Sequence, residues 1–279
     1  MPGEQADELR RVAEQVVGEA AAFVRIRREE LFGPVGHPPS AVWAKSTPTD
    51  PVTLADTETE QLVRDRLARL RPGDAILGEE QGGEQGQAAG VSGAVRWVLD
   101  PIDGTVNFIY GIPAYAVSLA AQVDGVSVAG AVADVCACRV YSAAAGRGAW
   151  VTAGDERTAL RCTGVTDLSM ALVGTGFGYE PRRRAAQAAL LAELLPEVRD
   201  VRRIGSAALD LCAVAAGRLD AHYEHGLNLW DWAAGALIAA EAGAVVVLPD
   251  RPAGLLVAAA PGVAGDLIEA LRRHETPMP

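Results

Sequence analysis

Up to Leu70 the apolar residues of this chain recur at three- and four-residue steps, and beyond Pro72-Gly73 they come in short runs broken by glycine. That change of period excludes both an all-helical and an all-β protein, because one repeat lays a stripe along a helix and the other fills strands. Leu9, Val12, Val16, Ala20, Phe23 and Val24 predict a first helix ended by Gly33-Pro34. Leu62, Val63, Leu67 and Leu70 predict a second, with Thr57 and Glu60 at capping-box spacing near its start. Strands are predicted over 75–77, 95–99, 115–122, 126–133 and 139–143. Beyond Ala171, helical patterns over 183–195, 207–216, 231–242 and 263–273 alternate with extended ones over 198–202, 219–223 and 244–248. Consecutive strands followed by strand–helix alternation point to an α+β or α/β chain of two lobes, each with a mixed sheet, and a seam within 146–164. The stretch 81–93, rich in glycine and glutamine, reads as a mobile surface loop.

The chemistry is concentrated where these elements end. The apolar strand Trp97-Val98-Leu99 runs into Asp100-Pro101-Ile102-Asp103-Gly104-Thr105. Proline pushes Asp100 into extended geometry, and an Asp-Pro turn would hold Asp100 and Asp103 within about 7 Å of each other. Two carboxylates so close repel unless a cation lies between them, and an all-oxygen cluster suits a hard divalent ion such as Mg²⁺. Each acid also has a plainer reading: Asp100 and Asp103 as turn former and cap, Asp56 and Asp231 as helix caps, Glu79 as a solvated loop acid. What the plainer readings leave unexplained is that Asp56, Glu79, Asp100, Asp103, Glu224 and Asp231 all stand at element ends.

Lys45…Asp50-Pro51-Val52-Thr53-Leu54-Ala55-Asp56, Gly78-Glu79-Glu80, Asp100-Pro101-Ile102-Asp103-Gly104-Thr105, Gly205-Ser206-Ala207 and Trp230-Asp231 occur in this order. The set resembles the inositol monophosphatase family, with a longer 81–93 loop and departures at Val106 and Tyr110-Gly111. The resemblance implies a two-lobed, layered αβαβα sandwich of the sugar-phosphatase type. Lobe 1–150 would carry most metal ligands, and lobe 151–279 the substrate-binding residues and the last ligand. It implies two to three Mg²⁺ ions per subunit: Glu79, Asp100 and the Ile102 carbonyl hold the first, Asp100 bridges to a second completed by Asp103 and Asp231, and a third sits near Glu79. Asp56, Glu79 and Thr105 become the catalytic residues, with Thr105, oriented by Asp56, positioning a metal-bound water for direct attack. Substrate contacts fall to Asp103, Gly104, Thr105, Gly205, Ser206, Ala207, Glu224 and Asp231, with Glu224 at the position that meets inositol hydroxyls. The implied activity is hydrolysis of inositol 1-phosphate by a lithium-sensitive homodimer. The runner-up substrates are histidinol phosphate, fructose 1,6-bisphosphate and 3′-phosphoadenosine phosphate; a reading of another class is a regulatory protein-binding role with secondary catalysis.

Composition is used to exclude. With 25 Lys and Arg against 36 Asp and Glu the formal charge is −11, which argues against nucleic acid as the partner. Bound cations would let so acidic a chain receive a phosphate. Cys136, Cys138, Cys162 and Cys212 lack the spacing of a zinc or redox motif and read as fillers in a reducing cytoplasm. No apolar run reaches membrane-spanning length, and Met1-Pro2-Gly3-Glu4 opens no signal peptide, so no membrane partner is expected. Gly174-Thr175-Gly176-Phe177-Gly178 has the wrong spacing for a dinucleotide loop, Arg182-Arg183-Arg184 reads as a solvated helix start, and His222 and His225 as ordinary polar residues near a strand end.

Overall fold

The computed structural model describes residues 3–33, 42–44, 51–85, 91–251 and 254–274. The chain runs α1 (Gly3–Phe32), β1 (Val42–Ala44), β2 (Pro51–Thr53), α2 (Leu54–Leu70), β3 (Ala75–Gly78), β4 (Gly82–Gln85), β5 (Val95–Asp103) and α3 (Thr105–Tyr110). It continues with β6 (Ala116–Val123), β7 (Val126–Asp134), β8 (Arg139–Ala144), β9 (Ala149–Ala153), β10 (Glu156–Ala159) and β11 (Leu172–Thr175). Then follow α4 (Pro181–Leu194), β12 (Asp200–Arg202), α5 (Ala207–Ala215), β13 (Ala221–His225), α6 (Leu229–Glu241), β14 (Val245–Val247), β15 (Leu255–Ala259) and α7 (Pro261–His274).

Eight strands form one sheet in the order β10-β9-β8-β7-β6-β5-β3-β4, antiparallel except where β3 and β5 run side by side. Five form a second sheet, β12-β11-β13-β15-β14, in which β11 is parallel to β12 and β13. Side chains alternate across the large sheet as strand geometry requires. Trp97, Leu99, Val117, Leu119 and Ala121 pack under α1 and α2, while Val98, Ala116 and Ala120 meet α5 and α6 on the other face. The small sheet repeats the arrangement: Leu256 and Ala258 face α5 and α6, and Tyr223, Val257 and Ala259 face α4 and α7. The result is five layers, αβαβα, with α5 and α6 enclosed between the two sheets. Such helices need apolar residues all round, and every residue of α5 is buried.

Three local expectations are corrected. The second helix begins at Leu54, so Thr57 lies inside it; the box is made by Thr53 and Asp56, whose spacing relative to the true first turn satisfies the orphan N–H groups. Asp100 to Asp103 is no turn: β5 runs through it with a bulge, Pro101 and Ile102 of β5 lying against Val117 alone of β6 between the pairs Asp100–Ser118 and Asp103–Ala116. Residues 82–85 of the supposed loop form the edge strand β4, and 86–90 lie outside the described residues, as does Lys45. The large sheet also continues past residue 150 through β9 and β10, so the sheets divide between Ala159 and Leu172. No local pattern announces the pairing of β9 with β8.

Candidate active site

A cleft of about 320 Å³ opens where β3, β5, β13 and the first turns of α3, α5 and α6 end. It is lined by Glu79, Asp100, Ile102, Asp103, Gly104, Thr105, Gly205, Ser206, Ala207, Glu224 and Asp231, so every expected site residue except Asp56 faces it. Asp56 lies fully buried behind Thr105.

The convergence is built from the backbone outward. Because β3 runs beside β5, the Glu79 N–H donates to the Leu99 carbonyl at 3.2 Å, and Glu79 leaves its strand next to Asp100. At the bulge the Ile102 N–H turns in to donate to Asp100 Oδ1 at 3.1 Å. Asp103 reaches across to the enclosed layer: its Oδ2 accepts from Ser206 Oγ at 2.6 Å and from the Ala208 N–H at 2.7 Å, at the start of α5. Gly104, with φ of +94°, permits this closeness, since a Cβ there would stand 3.0 Å from the Ala114 carbonyl and 3.1 Å from that of Gly205. Asp231 sits in the first turn of α6 and accepts from the Asn228 N–H at 2.6 Å.

Thr105 Oγ1 lies 3.1 Å from Asp56 Oδ1 and 3.0 Å from the Ile102 carbonyl, so its one hydrogen has two acceptors. The other oxygen of Asp56 accepts from the Thr53 N–H at 2.8 Å and from Thr53 Oγ1 at 2.5 Å. The capping box of α2 thus holds Asp56 in place for Thr105. Glu60 braces the neighbouring turn: it pairs with Arg64 at 2.8 Å and accepts from the Glu80 and Gln81 N–H groups.

The acids pay heavily for each other's company in the absence of a cation. Burial, then the charges of Glu79, Asp103 and Asp231 and a hydrogen bond to Glu79, push the Asp100 carboxyl well above its usual range. Asp231 is raised likewise by burial and by Asp103 and Glu79. Burial raises Asp103 to about 7 against the pull of its bonds to Ser206 and Ala208. Among the described residues no three His, Cys, Asp or Glu side chains form a ready-made cage. An open, all-oxygen set of mutually repelling carboxylates beside a carbonyl is nonetheless the donor chemistry of a hard cation that keeps waters and substrate oxygens in its shell.

Several cleft residues escaped the sequence reading. Arg183 and Arg203 line it, so Arg183 is not merely part of a solvated helix start. Phe177 and Tyr179, in the segment after β11, form wall, and His225 is buried at the end of β13. Asp210 also lines the cleft while 1% exposed. Its signal was available: it is the one charge in the otherwise apolar Ala207–Ala215 helix. No helix among the described residues is long and apolar enough to cross a membrane.

Residues 5–276 match the inositol monophosphatase family. An inositol-1-monophosphatase of Mycobacterium leprae is 67% identical over 98% of this chain and 96% of its own length. A Pasteurella multocida protein named Nus factor SuhB is 37% identical over 82% of this chain and 84% of its own. The solved structure of Mycobacterium tuberculosis SuhB superposes with a TM-score of 0.82 at 62% identity, covering 96% of this chain and 97% of the other. A match over nearly the whole length, on a five-layered fold whose acids meet in one cleft, means that this chain belongs to the inositol monophosphatase family of phosphoric monoester hydrolases.

Proposed function

We propose that the chain, as a homodimer, hydrolyses inositol 1-phosphate to inositol and inorganic phosphate with the help of magnesium. Glu79, Asp100 and the Ile102 carbonyl would hold one ion, and Asp100, Asp103 and Asp231 another. Bound there, the ions would neutralise the phosphate charge and acidify water. Asp56, fixed by Thr53, accepts the Thr105 hydrogen and leaves the Thr105 oxygen free to take a hydrogen from the attacking water. Asp103 binds the Ser206 hydroxyl, which holds the start of α5 and its backbone donors at the cleft. With Thr105 and Ser206 both engaged by acids, neither is poised as a covalent nucleophile, and the phosphoryl group passes directly to water. Glu224 accepts hydrogen bonds from vicinal hydroxyls of the alcohol.

The observation that carries this reading is the meeting of Glu79, Asp100, Asp103 and Asp231 in the cleft that Thr105 and Glu224 also line. Phosphate release should be measured with inositol 1-phosphate, histidinol phosphate, fructose 1,6-bisphosphate and 3′-phosphoadenosine phosphate, in magnesium and in chelator. Magnesium-dependent release highest on inositol 1-phosphate is expected; preference for another ester would reassign the substrate. Lithium should inhibit release, and indifference to it would count against the ion shared by Asp100, Asp103 and Asp231. The name of the Pasteurella relative favours a second reading, a protein-binding role, which a stable partner together with negligible turnover would establish.

A further inference from the structure

Beneath Glu224 lies a group that the mechanism above leaves unused. His222 is fully buried in β13, two residues before Glu224 and on the same side of the strand. Its Nε2 stands 3.5 Å from Glu224 Oε2, and its Nδ1 stands 3.9 Å from Asp210 Oδ2 on α5. Neither ring nitrogen has a hydrogen-bond partner among the described residues, and neither does Asp210 Oδ1. The three side chains answer one another's charge at the wall of the cleft, where Arg203 also attracts Asp210 and Asp103 also acts on Asp210 and His222. The strands beside His222 bring only Gly174 and Ala258 to its level. Next along β11, Gly176 makes room for the cluster: a Cβ there would lie 2.1 Å from both Glu224 carboxylate oxygens.

Burial alone would favour a neutral ring, yet Asp210 and Glu224 together lift the His222 imidazolium above its ordinary value. A cation so placed does two things for Glu224, which is 12% exposed. It offsets the repulsion of Glu224 by the nearby acids, and it attracts Oε2 inward so that Oε1 is left for the cleft.

Taking Glu224 as the acceptor of substrate hydroxyls, we propose that His222, backed by Asp210, is a positioning residue that orients Glu224 and so sets the preference for phosphate esters of vicinal polyols over esters without hydroxyls. The contacts are long for hydrogen bonds and tighten when a polyol engages Oε1.

The test compares inositol 1-phosphate with phenyl phosphate, which carries no vicinal hydroxyls, under steady-state conditions. His222→Leu is expected to raise KM for inositol 1-phosphate about tenfold, the size of one hydrogen bond to a charged group, and to leave kcat within about twofold. The ratio of kcat/KM for the two esters falls accordingly. His222→Gln, whose amide still donates to Glu224, recovers most of the loss, as a merely structural role would not. If the leucine variant does not fold, Asp210→Asn serves in its place and lowers the same ratio by a smaller factor. Glu224→Gln separates the two levels of the argument. A raised KM for inositol 1-phosphate in Glu224→Gln, with an unchanged ratio in the His222 and Asp210 variants, overturns the positioning role alone. An unchanged KM in Glu224→Gln overturns the role of Glu224 and this proposal with it.

Discussion

Asp103 shows how one side chain serves both architecture and chemistry. One of its oxygens holds the start of α5 through Ser206 and Ala208, while the carboxylate as a whole belongs to the acidic cleft. Asp100 has less to hold it: among the described residues only the Ile102 N–H bonds it from the backbone, against the charge of three other acids. On the proposed assignment, Asp100→Asn removes both a charge that its acidic neighbours repel and a ligand of the bound ion. Turnover should fall by more than about a hundredfold, since even groups behind metal ligands are worth that much, while the melting temperature in chelator stays level or rises. Retained turnover in magnesium would refute the assignment. Asp210 allows a pH prediction away from the metal ligands. Burial lifts its carboxyl to about 7, so the folded state keeps a proton that the unfolded chain loses near pH 4. The stability this contributes is complete below about pH 4 and lost as the pH rises toward 7. His222, raised above its ordinary value, acts in the same direction at higher pH. In saturating magnesium, the fall in melting temperature between pH 5 and pH 8 should be shallower in Asp210→Asn than in the natural protein; equal slopes would show that Asp210 titrates normally.

Among the elements, α2 links a helix cap to Thr105, the residue proposed to position the attacking water. Thr53 caps it, Asp56 closes the box, and the other oxygen of Asp56 accepts from Thr105. Thr53→Ala keeps the backbone N–H bond and loses the hydroxyl one. It should cost about 1 kcal/mol of stability, and kcat should drop several-fold because Asp56 gains freedom; urea unfolding and phosphate release on one preparation check both. A stability loss without any change in kcat would separate the cap from the chemistry. The sequence pattern located α2 but put its cap four residues late, at Thr57, because Ser and Thr in a first turn look alike until the preceding backbone direction is known. The pattern was also silent on β9, β10 and β15. Glu156–Ala159 is exposed throughout, and Leu255–Ala259 is buried on both faces, so neither shows the alternation by which a half-buried strand is recognised. Helices α5 and α6 were legible as apolar stretches, but their burial on both sides was not, since uniform hydrophobicity does not say what covers it.

For the whole molecule, the layering decides where charge collects. The large sheet supplies Glu79, Asp100 and Asp103, the small sheet supplies Glu224, and the helices enclosed between them supply Ser206, Asp210 and Asp231. A cation held by the proposed ligands would bind the folded chain far better than the unfolded one. Magnesium at about a hundred times its dissociation constant should therefore add about 2.7 kcal/mol to stability, read as a rise in melting temperature that chelator reverses. No shift on titration with magnesium would mean that the acids do not act together.

The order of residues alone determined the class of structure and the identity of the reactive groups. Period fixes which segments are helix or strand, and acids at element ends have no apolar role that would place them there. It also supplied Asp100-Pro101-Ile102-Asp103-Gly104-Thr105, whose chemistry is local. Only the tertiary structure decided that β5 continues through that motif as a bulge, that Arg183 and Arg203 turn into the cleft, and that Asp210 and His222 stand behind Glu224. These depend on strand pairing and on the crossing of layers between residues far apart in the chain, and such contacts leave no periodic trace in the residues that make them.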